Sequence, residues 1–272
     1  MRRYVRVGLL VLSGYLCAPV AFAQGSVSVE VSPLRAELKL APGGTHTQAV
    51  TLTNTGKEPV RVRASVRDWH LAKDGAPQFA DPEQGRAYSA SSWTRIAPPE
   101  LVIQPSMEGT VRFTVAVPQG VDPAGYRTGI MFELAPAGGD PVTRRREVAV
   151  RSQIATLIYA NVGEPRAAVD LVDLRSRVAP EQTLILATLK STGRRTVRTK
   201  GTVTVYGQGN TVVRQVPVPD VPVLPESERD VMIVIGDNAA KPLPPGEYRI
   251  EVKIDVGLPA VIIGETTLKV GK

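Results

Sequence analysis

From Thr110 to Val115 the chain alternates strictly, with Thr110, Arg112 and Thr114 on one side and Val111, Phe113 and Val115 on the other. A two-residue period of this kind marks a strand with one buried face. The same period recurs along the chain. It predicts strands near 27–40, 47–54, 59–69, 100–103, 109–117, 126–134 and 147–160, and then near 166–176, 182–190, 197–206, 211–216, 229–235, 247–256 and 260–270. No stretch carries a 3.6-residue apolar period, so the expected class is all-β. Prolines punctuate the pattern, because a proline cannot donate to a ladder. Pro118 ends the strand before it, and Pro217, Pro219 and Pro222 make an edge connection after 211–216. Gly75, Pro77, Pro82 and Gly85 mark 71–92 as a long surface loop. Tyr126 follows the turn Asp122-Pro123-Ala124-Gly125, a placement that suits a tyrosine corner.

The pattern is written twice. Thr51-Leu52-Thr53-Asn54-Thr55-Gly56, followed by Val60-Arg61, is echoed by Thr188-Leu189-Lys190-Ser191-Thr192-Gly193, followed by Val197-Arg198. Pro105 precedes Val111-Arg112-Phe113 by the same interval that separates Pro225 from Val231-Met232-Ile233. Gly125-Tyr126-Arg127 finds its counterpart in Gly246-Glu247-Tyr248-Arg249. Three matches in one order imply two copies of one plan. The expectation is two tandem immunoglobulin-like β-sandwich domains, residues 24–160 and 165–272, joined at Asn161-Val162-Gly163-Glu164-Pro165.

Residues 1–23 stand outside that plan. Arg2, Arg3 and Arg6 precede an apolar run from Val7 to Leu16, and Ala21-Phe22-Ala23 forms a small-residue cleavage site. These are the parts of a secretory signal peptide, with the mature chain beginning at Gln24 and exported to the periplasm. Loss of those three arginines lowers the formal charge from +7 to +4, which calls for neither a nucleic-acid partner nor membrane insertion. The single cysteine, Cys17, leaves with the same segment, so no disulfide is expected in the mature fold.

Nothing in the chain points to catalysis, a cofactor or a metal. His46 and His70 lie far apart without a carboxylate or thiol cluster at ligand spacing. Arg61, Arg63 and Arg67 alternate with Val60, Val62 and Val66, giving one basic and one apolar strand face, either solvated or docking an acidic partner. Trp69 and Trp93 are expected as caps over the core, Arg144-Arg145-Arg146 as a solvated loop tip, and the Pro98-Pro99 step as a candidate for a cis bond. In the strand near 147–160, Val148, Val150 and Ile154 share one face against Ala149, Arg151 and Gln153.

Pro98-Pro99, Ile103-Gln104-Pro105, Val111-Arg112-Phe113 and the aromatic strand from Tyr126 to Phe132 occur in an order and spacing that resembles the periplasmic pilus-assembly (PapD-like) chaperones, over about residues 27–160. The resemblance implies a non-enzymatic protein whose last first-domain strand lends alternate apolar side chains to an exported pilus or surface-fibre subunit, by β-strand addition. Val148, Val150 and Ile154 would be those side chains, and an outer-membrane usher a further partner. The family also clamps the subunit's terminal carboxylate between an arginine and a lysine. Here Glu37 and Ala155 or Thr156 stand at those positions, leaving Arg35 and Arg151 as the candidate carboxylate contacts. A structural or adhesive tandem module of the cell envelope is the alternative.

Overall fold

The first apolar stripe of the chain is shared between two sheets. Val29 and Val31 belong to β1 (Val29–Ser32), and Ala36 and Leu38 belong to β2 (Arg35–Leu40), with a cis Ser32–Pro33 bond between the strands. In the computed structural model, which describes residues 28–83, 86–137, 152–178, 182–237 and 243–271, these strands lie in opposite layers of a sandwich. The remaining strands of that unit are β3 (Thr45–Asn54), β4 (Val60–Leu71), β5 (Pro77–Ala80), β6 (Thr94–Ala97), β7 (Glu100–Ile103), β8 (Glu108–Ala116), β9 (Ala124–Pro136) and β10 (Ser152–Val162). One sheet runs β1-β3-β8-β6; the other runs β2-β10-β9-β4-β5, with β7 beside the start of β4. Among the described strands β2 and β10 pair in parallel, from Leu157 opposite Arg35 to Val162 opposite Leu40, and the other strand pairs are antiparallel.

Period-2 alternation places the core where the sequence puts it. Val50, Leu52, Val111 and Phe113 of one sheet meet Val62, Ile130, Phe132 and Ile158 of the other, all fully buried. The outer face of β3 and β8 is polar, and Thr47 and Thr114 share a hydroxyl hydrogen bond of 2.8 Å across it. The expected surface loop over 71–92 holds more order than its composition suggests. β5 pairs with β4, and a single 3-10 turn, Ser91–Trp93, closes it. The buried Asp68 carboxylate anchors this segment, accepting the Ser89 and Ser91 hydroxyls at 2.5 Å each and the Glu83 N–H at 2.9 Å. The cis bond lies at Ala97–Pro98, one step before the Pro98–Pro99 bond.

The second sandwich repeats the design. Its strands are β11 (Val169–Val178), β12 (Gln182–Ser191), β13 (Val197–Arg198), β14 (Lys200–Tyr206), β15 (Val212–Pro217), β16 (Pro222–Val223), β17 (Glu228–Asp237), β18 (Gly246–Asp255) and β19 (Ile262–Val270). A β11-β12-β17 sheet faces a β15-β14-β18-β19 sheet, and β13 pairs with β16. Ile185, Leu189, Val203, Ile233, Ile250 and Val252 fill the space between. Two of the three matches between the repeats are visible as geometry. Tyr126 donates its hydroxyl to the Asp122 carbonyl at 3.1 Å, and Tyr248 donates to the Pro244 carbonyl at 2.7 Å. Ser106 and Glu226, each directly after its proline, both take a positive φ, 60° and 48°. That is the left-handed residue that a Pro-containing type II turn requires.

The two sandwiches meet through direct contacts. The Gly125 N–H donates to the Arg194 carbonyl at 2.6 Å, and Asn161 exchanges two hydrogen bonds with the Thr196 backbone. Lys73, in the β4–β5 turn, reaches Glu228 at 3.0 Å, and its carbonyl accepts the Asp230 N–H at 2.8 Å. Trp69, Tyr159 and Leu224 form a small buried cluster across the junction.

Candidate functional site: the open edge of β10

β10 is paired along its whole length on one side only. Its eleven residues from Ser152 to Val162 match Leu134 to Ala124 of β9. On the other side β2 covers positions 157–162 and no more. The reason is local: the chain reaches the sheet through Pro33 and Leu34, and the Leu157 N–H donates to the Leu34 carbonyl at 2.9 Å as the first bond of that ladder. Backbone groups two residues apart in a strand point the same way. The N–H and C=O of Gln153 and Ala155 therefore project from the open edge, and neither has a backbone partner there among the described residues. An unpaired edge of this kind is a template for another strand.

The side chains along that edge divide by parity. Ile154 is half-buried at the mouth of its own sandwich, packed against the same core as Val29 and Val31. Thr156 is buried and donates its hydroxyl to the Pro33 carbonyl at 2.9 Å, fastening the crossover to β10. Leu34, on the crossover itself, is 56% exposed. Val148, Val150 and Arg151 lie outside the described residues. Of the expected strand-lending set, Ile154 is thus the member that can be placed. It sits between core and solvent rather than wholly in either.

Leu157, Tyr159 and Asn161, the odd residues further along, face the second sandwich. Tyr159 is buried edge-on to Trp69, with ring centroids 5.0 Å apart and planes at 79°, and Leu224 closes the cluster. Burial pushes the Tyr159 phenol above its usual range, against the opposing pull of the Arg198 and Arg35 charges. Beside it, Arg35 pairs with Glu37 at 3.2 Å, and Glu37 also takes Arg198 of the second sandwich at 3.3 Å. Arg198 goes on to Asp220 through its Nε at 2.6 Å. Arg35, a candidate carboxylate contact, therefore holds a carboxylate of its own chain. Sequence reasoning did not single out Arg198 or Leu224. The only signal for Arg198 was its place in the repeat, opposite Arg61.

The other candidates resolve more simply. Arg61 and Arg63 both reach Glu100, at 3.3 and 3.5 Å. Arg67 pairs with Asp81, and with Glu133 at 3.9 Å, so the basic face carries its own counter-charges. Trp93 packs on Tyr126 with centroids 4.6 Å apart, as a core cap. Trp69 is 2% exposed, yet it lies on the arginine-bearing face of β4, outside the sandwich core. Among the described residues no group of three His, Cys, Asp or Glu is placed to hold a metal, and no helix is long and apolar enough to cross a membrane.

No protein-family model matches the chain, and no curated protein matches it. Among solved structures, a chaperone–tip adhesin complex of CFA/I fimbriae is 13% identical, covering 90% of this chain and 100% of that one, with a TM-score of 0.47. The class 5 fimbriae chaperone CfaA is 14% identical over 88% of this chain and 99% of its own, also at 0.47. The CsuC–CsuE chaperone–tip adhesion subunit complex of Acinetobacter baumannii is 14% identical over 88% and 97%, at 0.44. The chain is similar to these proteins in the course of its strands. Its two-sandwich fold rests on its own ladders and cores.

Proposed function

We propose that this chain is a non-enzymatic, exported chaperone-like protein that binds a β-rich exported subunit by strand addition along residues 147–158. The observation that carries the reading is the open edge of β10, where Gln153 and Ala155 present backbone groups without a partner among the described residues, beside the half-buried Ile154. Backbone bonds along that edge supply affinity, and alternate side chains, Val148, Val150 and Ile154, supply selectivity. Export through residues 1–23 places the protein in the periplasm, where such subunits pass. Arg35 is already engaged by Glu37, so the edge and not a carboxylate clamp is the main source of binding.

The test removes a backbone donor without touching the core. Gln153 is exposed and its N–H faces the open side, so Gln153→Pro deletes no bond to β9; proline is tolerated on an edge in that setting. The variant is expected to melt close to the parent, within about 1 kcal/mol. Affinity capture from the periplasm of the native host, read by mass spectrometry, should recover a β-rich exported subunit with the parent and lose it with the variant. Recovery of the parent alone would favour a tandem module without chaperone activity. Retention of the subunit by Gln153→Pro would place binding elsewhere.

A further inference from the structure

The outer face of the β11-β12-β17 sheet departs from its own repeat. In the first sandwich the matching positions on β3 and β8 are Thr47, Ala49, Arg112 and Thr114, a polar face. In the second they are Leu184, Leu186, Met232 and Val234, in the same register, with Leu184 opposite Val234 and Leu186 opposite Met232. The scaffold therefore does not need apolar residues there. Both strands read as continuous apolar runs, Leu184-Ile185-Leu186-Ala187 and Val231-Met232-Ile233-Val234-Ile235, the pattern of strands buried on two faces. Yet Met232 is 56% exposed and Val234 42%, with Leu184 at 8%, and a depression of about 370 Å³ is lined by Leu184, Leu186 and Met232 together with Arg175, Ser176 and Arg177.

We infer that this face is covered by a second copy of the same chain. The argument is charge complementarity across rows fixed by the register. Beyond the two apolar rows, Thr188 lies opposite Asp230, and Lys190 opposite Glu228. A two-fold axis parallel to the strands, between β12 and β17, sets each row over itself reversed. Leu184 of one protomer then meets Val234 of its partner, and Leu186 meets Met232. Lys190 meets Glu228, whose carboxylate also holds Lys73 of its own chain at 3.0 Å, while Thr188, buried and bonded to Asp230 at 2.7 Å, stays out of the contact. Each exposed row is complementary to its own reflection, as an isologous interface requires. Face-to-face packing of two sheets with nearly aligned strands is an ordinary arrangement. The charges flanking the apolar rows are of both signs, Asp170, Asp173, Glu228 and Asp230 beside Arg175, Arg177 and Lys190, which suits a second copy of the face better than a lipid surface of one sign.

The inference is independent of the β10 edge, and its test is oligomeric state. Sedimentation of the full mature chain over a wide range of concentration is expected to show reversible growth to twice the monomer mass. Met232→Arg, which restores the first-sandwich residue, should weaken association at least tenfold without lowering the melting temperature. Lys190→Glu and Glu228→Lys, the second of which also gives up the Lys73 contact at the junction, should each be monomeric alone, since each sets like charges face to face, and should dimerise when mixed. A parent that stays monomeric at all concentrations overturns the proposal. So does a dimer indifferent to Met232→Arg, or two charge variants that fail to associate on mixing. If the parent is monomeric but binds phosphatidylglycerol vesicles through Met232, the occupant is lipid and the proposal falls.

Discussion

At the scale of single residues, Asp68 shows how a local network outweighs burial. Burial alone would raise its carboxyl pKa. The Ser89 and Ser91 hydroxyls, the Glu83 N–H and the Arg86 charge together hold it below the ordinary 3.8. A group whose folded pKa is depressed stabilises the fold above its unfolded value, and that stability is lost as pH falls through the folded value. The Asp68 contribution is therefore complete at neutral pH and disappears below about pH 4. Asp68→Asn should lower stability at pH 7 by about 1–3 kcal/mol. It should also flatten the fall of melting temperature between neutral and acid pH. An unchanged acid slope in calorimetry would show that other carboxylates carry it.

Trp69 marks the limit of what the pattern of the chain discloses at this scale. Its parity assigns it to the same face as Arg61, Arg63 and Arg67, where a tryptophan has no local reason to be buried. It is buried because Leu224, more than 150 positions later, closes over it with Tyr159. A contact between residues so distant leaves no trace in periodicity. Its indole N–H donates to the Thr128 carbonyl at 2.8 Å, which satisfies the polar end of the ring.

At the scale of elements, the repeat was the most legible feature, because alternation and turn chemistry both act over a few residues. Strands near 100–103 and 109–117 are found at Glu100–Ile103 and Glu108–Ala116. The short strands β5, β6 and β16 escaped notice, since β5 and β16 begin on prolines and β6 holds a single large apolar residue, Ile96, where β7 has the run Leu101-Val102-Ile103. The tyrosine corner appears in both sandwiches, with the hydroxyl bonding the carbonyl four residues upstream. Tyr248 is buried with its 2.7 Å bond to Pro244 and Tyr126 is half-buried with a longer one. Tyr248→Phe should therefore cost about 1 kcal/mol and exceed the cost of Tyr126→Phe. Denaturant midpoints of the two variants measure the difference; equal or reversed losses would argue that the corner bond contributes little.

At the scale of the whole molecule, Gly125 sets how closely the sandwiches approach. Its N–H bonds the Arg194 carbonyl, and a Cβ there would fall 2.5 Å from Thr196 Oγ1 and 2.6 Å from the Thr196 nitrogen. Glycine is needed for the close approach of two backbones, and the conformation itself is one other residues adopt. Gly125→Val should push the units apart, break the Asn161–Thr196 bonds and uncover Trp69. Small-angle scattering should report a larger radius of gyration, and tryptophan emission should shift to the red. Unchanged scattering would mean that the remaining contacts, Lys73–Glu228 and Glu37–Arg198 among them, hold the junction unaided.

The crossover at Pro33 has a consequence for how the length of the open edge can change over time. β10 is open only as far as β2 has not yet begun, so the residue at which the chain leaves one layer for the other acts as the stop on a zip. Moving that stop by two residues along the chain would free or close one further pair of backbone groups on β10, with every side chain keeping its face. The length of the open segment can thus be reset by an insertion or deletion in a single stretch of chain, while both cores and the β9 ladder stay as they are.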